Sequence, residues 1–416
     1  MTADGLTRRF VLLRALRWLP VGLVLPFMVI TPVARGLSLG EIGAVFAVHS
    51  AVAIALEVPS GALADVLGRR RVMLVGAALT AASLLAFALA QAVVAFMAAV
   101  GLLAAGRALI SGSLEAWYVD SLRSLDPAAP LSRGLSRGTT AEGLAMALGA
   151  LVAGGLVTLA GPGGDGVLSG YGVAALAAAL AAVGYLGGIA ALVHERPERG
   201  RSSDASASFG RRAAEVFTTA RVEAAGSVAV RVVFLTGVAF GVCYTVVELL
   251  WQPRLADLLG DPDSHGVVFG GLAAASMLAV ALGAGLSQPV NRRLGLRLGY
   301  LLALALGALC IALLGAPRSA AGFALVYLLA YLALGLAEPM HYELLNDAVG
   351  PTARATLISA EGLATQGGAL VANLSVGALA STHGPALAWA LAGTLLTVTT
   401  LAVATPLLRT SPRVRA

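Results

Sequence analysis

Charge is what this chain has least of. Asp, Glu, Lys and Arg together make up 12% of its 416 residues, while 58% are hydrophobic. A water-soluble domain carries about 25% charged residues, because its surface must be solvated. Half that supply cannot cover a water-exposed body of this size, so a soluble globular protein is excluded and lipid is left as the surroundings. Lysine is missing altogether, and all 28 basic residues are arginine. Cysteine is limited to Cys243 and Cys310, both inside predicted helices, so no disulfide framework is implied. No P-loop signature is present, which argues against ATP hydrolysis, and no Cys/His cluster has zinc-ligand spacing. Neither an enzymatic activity nor a cofactor or metal is expected.

What the chain does have is long apolar runs. A hydrocarbon core of ~30 Å takes roughly 20 apolar residues per spanning helix. Such runs occupy 10–33, 42–63, 72–92, 94–119, 139–159 and 171–193, then 232–250, 267–290, 298–314, 320–344, 358–379 and 386–408. A spanning β-strand would need only about 9–11 residues of alternating polarity, so these runs predict an all-α membrane protein of twelve helices. The first run follows Arg8 and Arg9, as in a signal peptide. It is longer than the about 7–15 residues of a signal h-region, and it reads as a retained first helix.

The arginines report topology. With the N-terminus in the cytoplasm, 22 fall on the inner side, three on the outer side (Arg35, Arg254, Arg318) and three within spans (Arg14, Arg17, Arg107). This is the positive-inside bias expected of a multi-pass inner-membrane protein with both termini cytoplasmic. The net charge of +6 therefore implies no nucleic-acid partner. The one long polar stretch, 194–231, reads as a cytoplasmic linker between an N-terminal bundle (1–193) and a C-terminal bundle (232–416). Within it, 210–223 is either a short surface helix or part of a tether.

The two bundles repeat each other. Gly112 is followed by Glu115 and Asp120; Gly335 is followed at the same spacings by Glu338 and Glu343. Ala141-Glu142-Gly143-Leu144-Ala145, with Gly149-Ala150-Leu151-Val152-Ala153 beyond it, matches Ala360-Glu361-Gly362-Leu363-Ala364, with Gly368-Ala369-Leu370-Val371-Ala372 beyond it. Six helices per half make the repeat parallel, and the expected binding site of such proteins lies between the halves near the midplane.

Between the second and third runs stands Gly61-Ala62-Leu63-Ala64-Asp65-Val66-Leu67-Gly68-Arg69-Arg70-Arg71. A degenerate copy, Gly285 through Asn291-Arg292-Arg293-Leu294-Gly295, stands between the eighth and ninth. With this loop, the helix count and the linker position, the chain resembles the major facilitator superfamily, and within it the drug/proton antiporters. The resemblance implies two six-helix bundles around a central cavity. It also implies a cytoplasmic latch of Gly61, Asp65, Gly68, Arg69, Arg70 and Asp120, in which Asp65 faces the start of helix 11 near Ile358 and Arg69 pairs with Asp120. Two family motifs are altered. Gly112 follows Arg107 one position later than in R-x-x-x-G. The helix 5 segment Gly149-Ala150-Leu151-Val152-Ala153-Gly154-Gly155 lacks the proline of G-P-x-x-G-G and has one extra residue.

Charges inside spans cost about 2.5–3.5 kcal/mol each on insertion scales and are kept with a partner or for a purpose. Glu57, Arg107, Glu115, Glu142, Glu248, Glu338 and Glu361 are the candidates for handling protons or substrate. A carboxylate in a low-dielectric cavity can bind and release a proton near neutral pH. On a continuous helix Glu115 lies about 7.5 Å deeper than Asp120, with Arg107 roughly 12 Å further toward the periplasm. Structural roles compete for several of these residues. Glu142 and Glu361 fall near expected helix starts, where a carboxylate meets the helix dipole. Glu57 precedes Pro59 and could support the latch, and Glu248 lies toward the periplasmic end beside Trp251. Arg14 and Arg17 are expected to snorkel to cytoplasmic headgroups, and His49 and His341 to be packing residues. The expected function is export of a small amphipathic or drug-like molecule by a monomer, driven by protons across the lipid bilayer. Uptake of a metabolite, or a non-transporting role as a scaffold or lipid mover, are the alternatives.

Overall fold

A computed structural model describes residues 2–161, 169–195, 205–260 and 265–409. Its elements are α1 (Ala3–Val24), a 3-10 turn (Leu25–Phe27), α2 (Ile30–Ala34), α3 (Leu39–Leu67), α4 (Arg69–Leu89), α5 (Val93–Ile110), α6 (Ser113–Leu125), α7 (Leu131–Ala160), α8 (Gly170–Leu192), α9 (Ala205–Gly226), α10 (Val228–Leu259), α11 (Gly266–Leu294), α12 (Leu296–Leu313), α13 (Ala320–Ala348), α14 (Pro351–His383) and α15 (Pro385–Arg409). Among the described residues there is no strand, and twelve helical segments are long and apolar enough to cross a membrane. Lipid offers no partners for backbone N–H and C=O groups, so each span satisfies its own by helical hydrogen bonds. Outward leucines such as Leu148, Leu180, Leu374 and Leu401 are exposed, as lipid contact requires.

Several helices depart from the apolar runs, each for a local reason. The first helix, expected over 10–33, starts at Ala3 and ends at Val24, where Pro26 opens the 3-10 turn. The fourth, expected as one helix over 94–119, is two. α5 stops at Ile110, and Gly112, at φ +71°, starts α6. That left-handed conformation disfavours any residue with a Cβ. The fifth and eleventh helices start earlier than expected, at Leu131 and Pro351, because their first turns are polar and extend past the hydrocarbon. The linker holds α9, which extends beyond 210–223 on both sides.

The chain forms two compact units. Unit 1 comprises Met1–Leu37, Val48–Arg211 and Gly260–Ala274; unit 2 comprises Ser38–Ala47, Arg212–Leu259 and Ala275–Ala416. In unit 1, α1 packs on α7 and α8, and α4 packs on α5 and α8. In unit 2, α10 packs on α14 and α15, and α12 packs on α13 and α15. The repeated sequence thus gives repeated packing. In unit 1, Gly22 lies against the Met146 backbone and Gly149 against Leu19 and Gly22; in unit 2, Gly241 lies against Thr365 and Gly368 against Val238. Small residues bring these backbones together, and van der Waals contact is what joins helices in lipid. The interior of unit 1 is sealed by Leu6, Phe10, Leu13, Leu114, Trp117 and Tyr118, with Phe10 stacked on Tyr118 at 4.2 Å between ring centroids.

Candidate functional site

The loop between α3 and α4 is held on several sides within unit 1. Gly68, at φ +91°, starts α4. Arg69 forms an ion pair with Asp120 on α6, the pairing that the resemblance implies. Glu195, which no spacing in the sequence singles out, accepts from the backbone N–H groups of Arg69 (3.0 Å) and Arg70 (3.2 Å), placing its carboxylate at the positive end of α4. Arg70 donates to the carbonyls of Val193 (2.8 Å) and Ala190 (3.0 Å), which closes the last turn of α8. Gly61 falls within α3, and the side chain of Asp65, expected to face the start of helix 11, lies outside the described residues. In unit 2, Asn291 donates to both carboxylate oxygens of Glu343 at 3.2 Å, a neutral amide donor where unit 1 has a guanidinium. Asp120 is 61% exposed, so Asp120→Ala is expected to change stability by no more than about 1 kcal/mol. Arg70→Ala, which frees two helix-end carbonyls, is expected to cost more, as thermal unfolding in detergent will show.

Deeper in unit 1 the structure corrects the expected partners. Arg14 and Arg17 do not snorkel. Arg14, only 15% exposed, forks between two carboxylates, one amino group on Glu115 and the other on Glu142. Arg17 stands 3.8 Å from Glu115. Glu142 sits in the interior of α7, so it is not at a helix start; Glu115, in the first turn of α6, is the residue that meets a helix dipole. The reason is the polar extension of α7 on one side and the break at Gly112 on the other. That break also interrupts the continuous rise on which the expected depths of Arg107 and Glu115 rested. Arg107 is exposed in the last turn of α5 and lies within electrostatic reach of His49. Four atoms around the Arg14 cluster are buried without a hydrogen-bond partner among the described residues: Arg14 Nε, Glu115 Oε2, Trp18 Nε1 and the Tyr185 hydroxyl.

In unit 2, Glu361 is likewise well inside its helix, α14, rather than near its start, and is 6% exposed. His341, on α13 and 3% exposed, places Nε2 at 3.3 Å from Glu361 Oε1. The Thr365 hydroxyl donates to the same oxygen at 2.9 Å. On its other side, His341 Nδ1 is 2.8 Å from the Tyr300 hydroxyl, which donates to Thr236 Oγ1 at 2.8 Å. The sequence singled out Glu361 but read its partner as a packing residue. Glu338 is exposed on α13 and makes no ion pair among the described residues.

Glu248, on α10, accepts from the Tyr331 hydroxyl and from Trp251 Nε1 at 3.3 Å. Tyr327 lies tilted against both donors, 5.3 Å from Trp251 and 4.7 Å from Tyr331, while Tyr244 lies 6.4 Å from Tyr331. Glu248 is half-buried and has no cationic partner among the described residues. Glu57 is half-buried on α3. Among the described residues no three potential metal ligands come together.

Twelve spanning helices in two repeated units, with carboxylates set inside them, define a polytopic membrane transporter rather than an enzyme. The family model of the major facilitator superfamily matches residues 10–274, and the chain belongs to that superfamily. In structure it is similar to the nucleoside transporter NupG (TM-score 0.77, 14% identity, covering 98% of this chain and 100% of that one). It is also similar to a POT family transporter solved with a thioalcohol-conjugated peptide (TM-score 0.70, 15% identity, covering 98% and 96%). At these identities the likeness concerns the fold. By sequence, no characterised protein matches.

Proposed function

We propose that this transporter exports small amphipathic organic molecules, lipophilic cations foremost, in exchange for protons, by alternating access across the inner membrane. In this reading two six-helix bundles joined by the polar linker do the work as a monomer with both termini in the cytoplasm. Glu248 carries the reading. A carboxylate inside a span is kept there for a purpose, and this one is held by neutral donors, so its charge is not already spent on an arginine. Trp251, Tyr327 and Tyr331 surround it, and aromatic faces attract a cation within about 6 Å by roughly 0.5–2 kcal/mol. An amphipathic cation offers both the charge and the apolar body that such surroundings suit.

The test uses inverted membrane vesicles, acidified inside and followed with a pH-sensitive dye. Tetraphenylphosphonium and ethidium are expected to trigger proton release from wild-type vesicles, and Glu248→Gln is expected to lower it at least about tenfold. One observation favours a second reading. The unpartnered buried atoms around Arg14 suit a polar solute, as proton-driven uptake of a metabolite requires. Proton movement with neither cation, together with a silent Glu248→Gln, would shift the assignment to uptake.

A further inference from the structure

The two units carry the same intramembrane carboxylate with different basic groups facing it. Glu142 and Glu361 occupy one position of the repeated Ala-Glu-Gly-Leu-Ala segment. Glu142 is met by Arg14 from α1. The glycine contacts align α1 with α10, Gly22 against Met146 matching Gly241 against Thr365. Val233 stands as far before Gly241 as Arg14 stands before Gly22, so unit 2 has a buried valine where unit 1 has its guanidinium. Its basic group comes instead from α13. His341 follows Glu338 at the spacing at which Tyr118 follows Glu115, and Tyr118 bonds Thr7 at 3.1 Å. An arginine is charged at every physiological pH, whereas a histidine changes charge between about pH 5 and 8.

The hydrogen bonds around His341 fix where its proton sits. The Thr236 hydroxyl donates its hydrogen to the Val232 carbonyl at 2.8 Å, since a carbonyl can only accept. The Tyr300 hydroxyl donates to Thr236. Its oxygen is then left to accept from His341 Nδ1, which carries the ring hydrogen. Nε2 of a neutral ring would therefore meet Glu361 Oε1 at 3.3 Å with a lone pair on each side. One added proton turns that opposition into a hydrogen bond, whether it resides on the imidazole or on the carboxyl. The Arg14–Glu142 contact needs no such proton, because guanidinium N–H groups already fill it.

We infer that the gap between His341 Nε2 and Glu361 Oε1 is the coupling-proton site of this transporter, and that the Arg14–Glu142 contact, already filled by guanidinium N–H groups, is not. This rests on the proton-driven reading above. One proton from the aqueous phase enters the gap, taking the pair from a net charge of −1 to neutral, and the same proton leaves on the other side of the membrane. The groups facing the pair are Thr236 and Phe240 on α10, Tyr300 on α12, Glu338 and Tyr342 on α13, and Thr365 on α14. Glu338 is the one carboxylate among them, so its titration has to be separated from that of the pair.

The test reads the proton directly and needs no substrate. Full-length protein labelled with ring-15N histidine, in lipid nanodiscs, is titrated by NMR; His341→Gln assigns its signals among the five histidines. His341 Nδ1 is expected to stay protonated throughout, while Nε2 goes from bare to hydrogen-bonded as pH falls, either gaining the proton or accepting a hydrogen bond from the Glu361 carboxyl. Glu361→Gln is expected to move or abolish that Nε2 transition, and Glu142→Gln and Glu338→Gln to retain it. A neutral ring protonated on Nε2 with Nδ1 bare, or a transition indifferent to Glu361→Gln, overturns the assignment. In proteoliposomes with tetraphenylphosphonium, the protons moved per probe are expected to fall to zero in Glu361→Gln. An unchanged ratio also overturns it. Wild-type protein that moves no probe would count against cation export, while the NMR result would still decide the proton site.

Discussion

Arg14→Met is expected to be the most damaging single substitution inside the spans, costing about 3–5 kcal/mol and most of the folded yield. One guanidinium serves two carboxylates on two other helices, so its loss leaves Glu115 and Glu142 facing each other without the charge that holds them. Arg17, at 3.8 Å from Glu115, is too far to take over the fork. That loss is large against the whole stability of a domain, about 5–15 kcal/mol. Arg14→Lys should rescue it only in part, since an ammonium is a point charge and cannot present two parallel donors. Arg14→Met combined with Glu115→Gln and Glu142→Gln should recover much of the stability, because no charge is left unpaired. Thermal unfolding and size-exclusion profiles in detergent measure both effects. A monodisperse Arg14→Met protein melting at the wild-type temperature would show that the fork is not what holds α1 to α6 and α7.

Gly368→Val should also be strongly disruptive, for a different reason, and its neighbour supplies the control. A Cβ at Gly368 would overlap the Val238 carbonyl, and one at Gly241 on the facing helix would overlap the Thr365 carbonyl. Backbone obstructs both, and it moves only if α10 and α14 separate, which forfeits the contact that joins helices in lipid. Gly367, one residue away on α14, has nothing within 4 Å of its Cβ position. Gly367→Ala should fold normally and gain about 0.5–1 kcal/mol of helix preference. Equal yields of Gly368→Val and Gly367→Ala, read by fluorescence-detected size exclusion, would mean that the crossing is not close-packed.

Twelve spans and the repeat were legible because lipid imposes a length and a hydropathy on every crossing, and because duplication leaves matched spacings. Arg69–Asp120 was legible through a loop motif. The helix ends were not, since hydropathy registers only the part of a helix inside hydrocarbon, and the polar first turns of α7 and α14 lie beyond it. That one error placed Glu142 and Glu361 near helix starts, facing the helix dipole. The partners Arg14 and His341 were hidden for another reason: each comes from a helix distant in sequence, and only packing shows which faces meet. Glu195 carried no pattern at all.

Gly112 and Gly335 hold the same place in the repeated pattern, yet the structure requires different things of them. At Gly112 the surroundings are open and only the backbone conformation matters, so drift toward asparagine, which tolerates the left-handed region, is allowed. Gly335 lies inside the unbroken α13 with its missing Cβ aimed at Val280, so its conformation is ordinary and its volume is everything. A lineage accumulating changes would be free to lose the first glycine and obliged to keep the second.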